Sequence, residues 1–416
     1  MNAPIAKETV LVAALGSVWS DVARRLGLEE VLTRFALAAP KRDVERILLT
    51  EEVAELKRLK FGAARLPVEA GGLGITLPEL FQLGRDAATA DSNLAHSLRN
   101  HFGSVERHLR TPDAPFSRKV LDLVAAGAIL GGAYSEDNSA PAGSLEAKGT
   151  TLSHDPSGGY RLNGSKLYST GNIYSDYLFV AATWADTGLP VQVLIPKDRE
   201  GVAVEDDWEG FGQKLTGSGR TGLVNVHVGE EEVAPPDTEA SRYAGYYSFT
   251  FPQLFLTTVI SGIAQRIFAD GLQLVATRGR NFYHAQFPRV ADEPSIQSVI
   301  GQLAAHSHAI VANVDRAIAA LDLAWARRDE ADGKALSLAA AITAAEAKLV
   351  TEETATRLAS SLIDLASGSS VSFSRALDRH WRNIKVISSH NPRIYKERVL
   401  GDFYLNGTTP PTGPYF

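Results

Sequence analysis

The sequence predicts an α+β fold, mostly α, in three parts: an N-terminal helical domain over 1–127, a middle β domain over 128–235 and a C-terminal helical bundle, expected to hold four helices, over 236–416. Three observations predict it. Apolar residues recur at helical spacing in the first third, alternate like strands between Ala128 and Val233, and return to long helical stretches from about Phe251.

In the first third, Val53, Leu56 and Leu59, then Leu80, Leu83, Ala87 and Ala90, mark one face of a 3.6-residue repeat. Pro67 and the Gly71–Gly74 stretch punctuate it. In the middle, Asp155-Pro156-Ser157-Gly158-Gly159 predicts a turn before a short strand at Tyr160–Leu162, and Asn163-Gly164 predicts a second turn. Residues 177–182 and 191–195 are short apolar strands, and 223–228 alternates in polarity. Helices are expected over 252–277, 295–328 and 334–366, with a fourth from about Ala376. The C-terminal aromatics Tyr415 and Phe416 predict a tail docked on a neighbour.

Composition narrows the function. The chain has no Cys, which excludes disulfides, thiolate metal sites and a cysteine nucleophile. A formal charge of −6 gives no electrostatic reason for a nucleic-acid or anionic-membrane partner. With no apolar leader and no window of about 18 apolar residues, a cytoplasmic protein without a membrane partner is expected. His306 and His308, two apart on a helix, face different ways, so no metal is expected.

Gly217-Ser218-Gly219-Arg220-Thr221-Gly222 fits the dinucleotide pattern G-x-G-x-x-G. That pattern needs a buried strand before it and a helix after it. Here Trp208–Lys214 precedes and an alternating strand follows, so the run is a loop joining strands.

Several motifs occur in the order of one known family. Leu66–Gly74 is similar to its P-E-x-x-G-G-x-G segment, and Leu162–Gly171 to L-N-G-x-K-x-W-I-T-N. Tyr134-Ser135-Glu136 through Ser144 resembles T-E-P-x-x-G-S, and Asp378–Asn383 resembles the R-D helix. The chain thus resembles the acyl-CoA dehydrogenase fold over nearly its whole length. Ser135-Glu136-Asp137-Asn138-Ser139, Asp206-Asp207-Trp208, and Trp381-Arg382-Asn383 leading to His390-Asn391-Pro392 resemble the flavin monooxygenase branch, in its dibenzothiophene monooxygenase group.

A dehydrogenase of this fold needs a carboxylate to take an α-proton, and in many members it follows the R-D helix. Val386–Pro392 holds no carboxylate; Glu397 lies beyond. It holds His390, where the monooxygenase branch has a functional His. The resemblance therefore implies a two-component, FMNH2-dependent monooxygenase acting through a flavin C4a-(hydro)peroxide. Its substrates would be O2 and a small organic molecule, an organosulfur compound by the resemblance, which implies sulfur metabolism or desulfurization. An FAD-dependent acyl-CoA dehydrogenase or oxidase is the alternative, and a catalytically silent flavin-fold assembly protein is another.

The resemblance also assigns site residues. His390 and His101 are the catalytic imidazoles, and Ser169 and Thr170 offer hydroxyls to the flavin edge or to bound oxygen. Asn100 stands where the family has Tyr, and Ile387 where it has His, which changes the expected pocket polarity. Tyr134, Ser135, Asp137 and Trp208 would line the ring. Arg280 would hold the phosphate, since a guanidinium fork suits a phosphate dianion. Gly368, Ser369 and Val371 form the turn that the fold sets against a neighbouring subunit's flavin. Ser369-Ser370 breaks the family's G-G-x-G, which favours FMN over FAD. With no nicotinamide site visible, reduced FMN is expected from a separate NAD(P)H:flavin reductase. The resemblance further implies a homotetramer.

Overall fold

Seven strands lie between two sets of helices. The computed structural model describes residues 7–137, 149–236, 245–414 and 416. Eight helices come first: α1 Lys7–Gly16, α2 Asp21–Arg25, α3 Glu29–Glu45, α4 Thr50–Arg58, α5 Leu77–Ala90, α6 Ser92–Ser97, α7 Arg99–His108 and α8 Pro115–Ala125. Helix α5 begins at a capping box, in which the Thr76 hydroxyl accepts from the Glu79 amide while the Glu79 carboxylate accepts from the Thr76 N–H. At α6 the Asp91 carboxylate accepts from the Asn93 amide and also takes the buried Arg42 guanidinium at 2.9 Å.

The strands are β1 Leu130–Ala133, β2 Thr151–His154, β3 Tyr160–Lys166, β4 Tyr177–Trp184, β5 Pro190–Pro196, β6 Val202–Val204 and β7 Thr221–Val228. They form one sheet in the order β1-β4-β2-β3-β7-β6, with β5 pairing β4. The turn at Asp155–Gly159 joins β2 to β3 as the sequence indicates. Asn163-Gly164 does not form the second turn. It is a bulge inside β3, where the register against β7 shifts between Leu162 and Gly164. Gly164 has φ +152 and a Cβ there would lie 2.6 Å from the Thr150 Cα, so glycine is required by close approach rather than by a hairpin.

Among the described residues five helices follow: α9 Gly245–Ala276, α10 Pro294–Ala326, α11 Gly333–Asp364, α12 Arg379–Ser389 and α13 Arg393–Asn406. Helices before and after the sheet share one apolar core, running from Leu15, Phe35 and Phe81 to Phe255, Leu321, Leu358 and Ile387. The sheet has its own core of Leu152, Leu162, Val180, Ile195 and Val226. Ile387 is 1% exposed within the shared core, so its substitution for His bears on packing rather than on pocket polarity.

Buried ion pairs brace the C-terminal helices and the β domain from within. Asp270 of α9 takes Arg266 at 2.8 Å, Arg379 at 2.9 Å and His380 at 2.7 Å. The fully buried Lys166 at the end of β3 pairs with Glu136. Glu136 also accepts from the amides of Gly149 and Thr150. Two motif positions of the sequence thus serve folding rather than chemistry.

The C-terminal tail docks on its own chain, contrary to the expectation of a neighbour. Phe416 is buried with Ala341, Ile342, Ala345 and Leu400, and Lys396 sits 4.3 Å from its ring centroid. Pro410 and Pro414 carbonyls accept from Tyr246 and Gln253. Tyr415 lies outside the described residues.

Candidate active site

The start of α7, the loop after β3 and the end of α12 meet at one corner. The loop Tyr168–Gly171 is tied to the Gly-rich run before β7. Ser169 N–H donates to Gly219 O at 3.0 Å, and Gly171 N–H to Thr216 O at 2.9 Å. The Thr170 hydroxyl meets that of Ser218 at 2.9 Å, and Ser218 meets Thr216 at 2.7 Å. Gly171 has φ +84 and a Cβ there would lie 2.1 Å from Ser97 O. The loop can therefore press against the α6–α7 junction only with glycine at this position. Asn100 closes the contact, its amide donating to Thr170 O at 3.1 Å. The Ser169 hydroxyl is buried and has no hydrogen-bond partner among the described residues.

His390 caps the C-terminus of α12. Arg99 Nη1 donates to its Nε2 at 3.0 Å, and Arg99 Nη2 donates to Asn100 Oδ1 at 3.3 Å. An Nε2 that accepts leaves the ring proton on Nδ1. The surrounding protein, then Arg99, His96 and Lys348, hold the imidazole well below its usual pKa. Its side chain is nonetheless exposed, so it lies at the surface rather than in a packed core. Glu397, the nearest carboxylate downstream in sequence, is exposed on α13 and bonded to Arg393 at 2.6 Å. It does not take the position of a base beside His390.

His101 does not join this corner, contrary to expectation. It is wholly buried. Its Nε2–H donates to Gly62 O at 2.8 Å and its Nδ1 accepts from Leu130 N–H at 3.1 Å. Both nitrogens are spent on backbone, and burial pushes the pKa down to about 4. The ring ties α7 to β1.

Arg99, His96 and Gln213 also bear on this corner. Arg99 touches His390 directly. His96 is buried, with Nδ1 on Gln213 Oε1 at 3.1 Å and an Nε2 that has no partner among the described residues. Gln213 links the parts: its amide donates to Ser92 Oγ at 2.9 Å, its N–H to Asn383 Oδ1 at 2.7 Å, and its carbonyl accepts from Trp208 Nε1 at 3.0 Å.

Trp208 is half-buried and packs edge-on to Tyr168, with centroids 6.1 Å apart. Tyr134 lies just after β1, its ring beside Gly132 and the Asn100 amide. Ser135 and Asp137 are exposed, and the Ser135 carbonyl accepts from Leu167 N–H at 2.9 Å. Asn138, Ser139 and the Gly143–Ser144 stretch lie outside the described residues.

The remaining candidates sit at the other end of α12, which spans about 16 Å at 1.5 Å per residue. Arg280 is exposed in the α9–α10 connection. Arg278 of that connection donates to Leu365 O at 3.2 Å, which places it beside the turn after α11. Gly368, Ser369 and Val371 are exposed in that turn, and a Cβ at Gly368 would meet nothing of its own chain within 4 Å. Among the described residues no hydrogen bond joins this group to Thr170 or His390.

Residues 254–392 match the family described as acyl-CoA dehydrogenase, C-terminal domain. The whole architecture is also found in solved structures. Methanesulfinate monooxygenase MsuC from Pseudomonas fluorescens is 27% identical, with a TM-score of 0.82 over 95% of this chain and 98% of that one. The chain has the acyl-CoA dehydrogenase fold. FMN-bound TdsC from Paenibacillus sp. A11-2 shares it at a TM-score of 0.84 and 25% identity, covering 97% of this chain and 100% of that one. In sequence, a dibenzothiophene monooxygenase from Mycolicibacterium goodii is 28% identical over 395 residues, 92% of this chain and 94% of that protein. The named relatives of this acyl-CoA dehydrogenase-fold chain thus include monooxygenases and a protein solved with FMN bound.

Proposed function

We propose that this chain is the oxygenase of a two-component system, taking reduced FMN from a separate NAD(P)H:flavin reductase and using O2 to oxygenate a small organosulfur compound. One observation carries the reading: a neutral imidazole, His390, stands exposed at the end of α12 against Arg99, while the nearest downstream carboxylate, Glu397, is committed to Arg393. A carbon acid beside a thioester needs a positioned carboxylate, whereas oxygen chemistry needs a group that donates or relays a proton.

The residues present fit a flavin. The buried Ser169 hydroxyl, without a partner among the described residues and beside the Thr170–Ser218 hydroxyl pair, is the donor set a polar ring edge needs. FMN in the TdsC relative supports FMN over FAD. When bound, the reduced flavin supplies the electrons that activate dioxygen. Ser169 and Thr170 would then hydrogen-bond the ring edge, with Tyr134, Ser135, Asp137 and Trp208 around it. Arg99 holds His390 Nε2 as an acceptor, which places the ring proton on Nδ1. Arg280, with the Gly368–Val371 turn, would serve the phosphate of a neighbouring copy's flavin in a homotetramer. Cytoplasmic placement remains part of this reading; no helix among the described residues is long and apolar enough to cross a membrane.

The test is flavin choice and electron source. The reading expects reduced FMN to bind more tightly than FAD, and acyl-CoA to leave a redox dye unreduced. Tight FAD with acyl-CoA-dependent dye reduction overturns it.

A further inference from the structure

We propose that Lys348 of α11 is a positioning residue for this site: its ammonium, held in place by Glu352, closes the C-terminal end of α12 and so fixes the direction in which His390 leaves that helix. What the inference says of turnover rests on the flavin monooxygenase reading; what it says of the imidazole does not.

The last carbonyls of a helix have no partner within it, and its C-terminus carries partial negative charge. Ser388 O is one of these carbonyls in α12, whose C-cap residue is His390. Lys348 Nζ reaches Ser388 O at 3.5 Å from the neighbouring helix. The ammonium thus stands where a capping cation belongs, two residues before His390. Glu352, one turn further along α11, pairs with the same ammonium and lies beside the Ser388 side chain. Asn391 turns inward at the same corner, yet its buried Oδ1 makes no hydrogen bond among the described residues.

The burial of this pair is a second observation. Lys348 and Glu352 are 6% and 4% exposed, amid buried Ala344, Ala345, Ala347 and Ala355 of the same helix. Apolar side chains in place of a buried ion pair are often no less stable. Stability alone therefore does not account for the pair, whereas a fixed helix end does. Burial lowers the Lys348 pKa, and Glu352 opposes that shift and keeps the charge. The cations of α13 have partners of their own: Lys396 donates to Gln253 Oε1 at 2.6 Å, and Arg393 to Glu353 and Glu397. Burial, then Arg99, His96 and Lys348, hold the His390 imidazole neutral.

The experiment follows the His390 ring by NMR in flavin-free protein carrying 15N-labelled histidine, its signal identified by loss in His390→Gln. Wild type, Lys348→Met and Lys348→Met/Glu352→Met are compared, with urea denaturation alongside. The single variant strands a buried carboxylate and should lower the urea midpoint; the double variant should restore it. Wild type should show one tautomer, with the proton on Nδ1. In the double variant the shifts should average between tautomers, and the ring should titrate at higher pH. With reduced FMN, O2 and whichever of methanesulfinate, dimethyl sulfide and dimethyl sulfone the wild type oxygenates, the double variant should give roughly ten- to a hundredfold less product per O2 consumed, the cost of a misplaced group. A folded double variant with the wild-type tautomer and titration, or with undiminished product, overturns the proposal. A double variant that loses the fold assigns the pair to stability and overturns it too. A wild type that binds no FMN and oxygenates none of the three counts against the flavin reading alone, and the NMR comparison still decides Lys348.

Discussion

Arg99 Nη1 meets His390 Nε2 at 3.0 Å across 291 residues of sequence, and this contact sets which proton the imidazole carries. The ring proton is then on Nδ1. Replacing His390 by alanine is expected to leave FMN affinity within about twofold but to lower product yield by roughly 10²–10⁴-fold, the usual worth of a proton-transferring group. Oxygen uptake should continue with hydrogen peroxide as its product, which a peroxide assay reads directly. Unchanged product yield would remove His390 from the mechanism.

Ser169 separates a ligand role from a folding role. Its hydroxyl is buried and unpartnered in the described protein, so Ser169→Ala should not lower stability in urea denaturation. It should weaken FMN binding by about 0.5–1.5 kcal/mol, the net value of one hydrogen bond. A loss of stability with unchanged FMN affinity would assign the hydroxyl to folding.

Lys166 behaves the opposite way. Its ammonium is fully buried against Glu136. Lys166→Met should cost about 3–5 kcal/mol, because it strands a buried carboxylate. Glu136 stays ionised in the native state, held down to about 2: burial opposes the charge, but Lys166 and the Gly149 amide outweigh it. Adding Glu136→Gln to Lys166→Met should recover part of the loss, and guanidinium melts of the three variants check it.

Acid should destabilise the protein earlier than carboxylate titration alone predicts. Burial holds His96 and His108 down to about 3, and His101 and His380 down to about 4. A folded pKa below the unfolded value of about 6.5 means the unfolded chain binds the proton first. Stability is therefore complete above that pH and falls below it. Asp86 opposes, since burial raises it to about 6 and the folded state takes up its proton first. Four protons against one leave a net of about three, or roughly 4 kcal/mol per pH unit near pH 5 at about 1.4 kcal/mol per proton. Denaturation curves between pH 7 and 4.5 test this; a flat profile would contradict the buried neutral imidazoles.

Much of the architecture was legible in the sequence, because long amphipathic helices and alternating strands carry their own period. The helices expected at 295–328 and 334–366 end within two residues of α10 and α11. Asn163-Gly164 misled because that pair suits a bulge as well as a hairpin, and the choice depends on Thr150 across the sheet. In the candidate site, motif order pointed to His390 and the Ser169-Thr170 pair, which the fold brings to one corner. Arg99 and Gln213 were not legible in it, since their partners lie more than a hundred residues away. His101 was misassigned for a related reason: only the fold shows that Gly62 and Leu130 consume both of its nitrogens.

The measurement that tests the central claim most directly is isotope transfer from dioxygen. The protein is supplied with reduced FMN under 18O2 and a panel of methanesulfinate, a dialkyl sulfide and a dialkyl sulfone. The account predicts one labelled oxygen per product molecule, detected by mass spectrometry. Label found only in hydrogen peroxide across the panel, together with desaturation of an acyl-CoA, would contradict it.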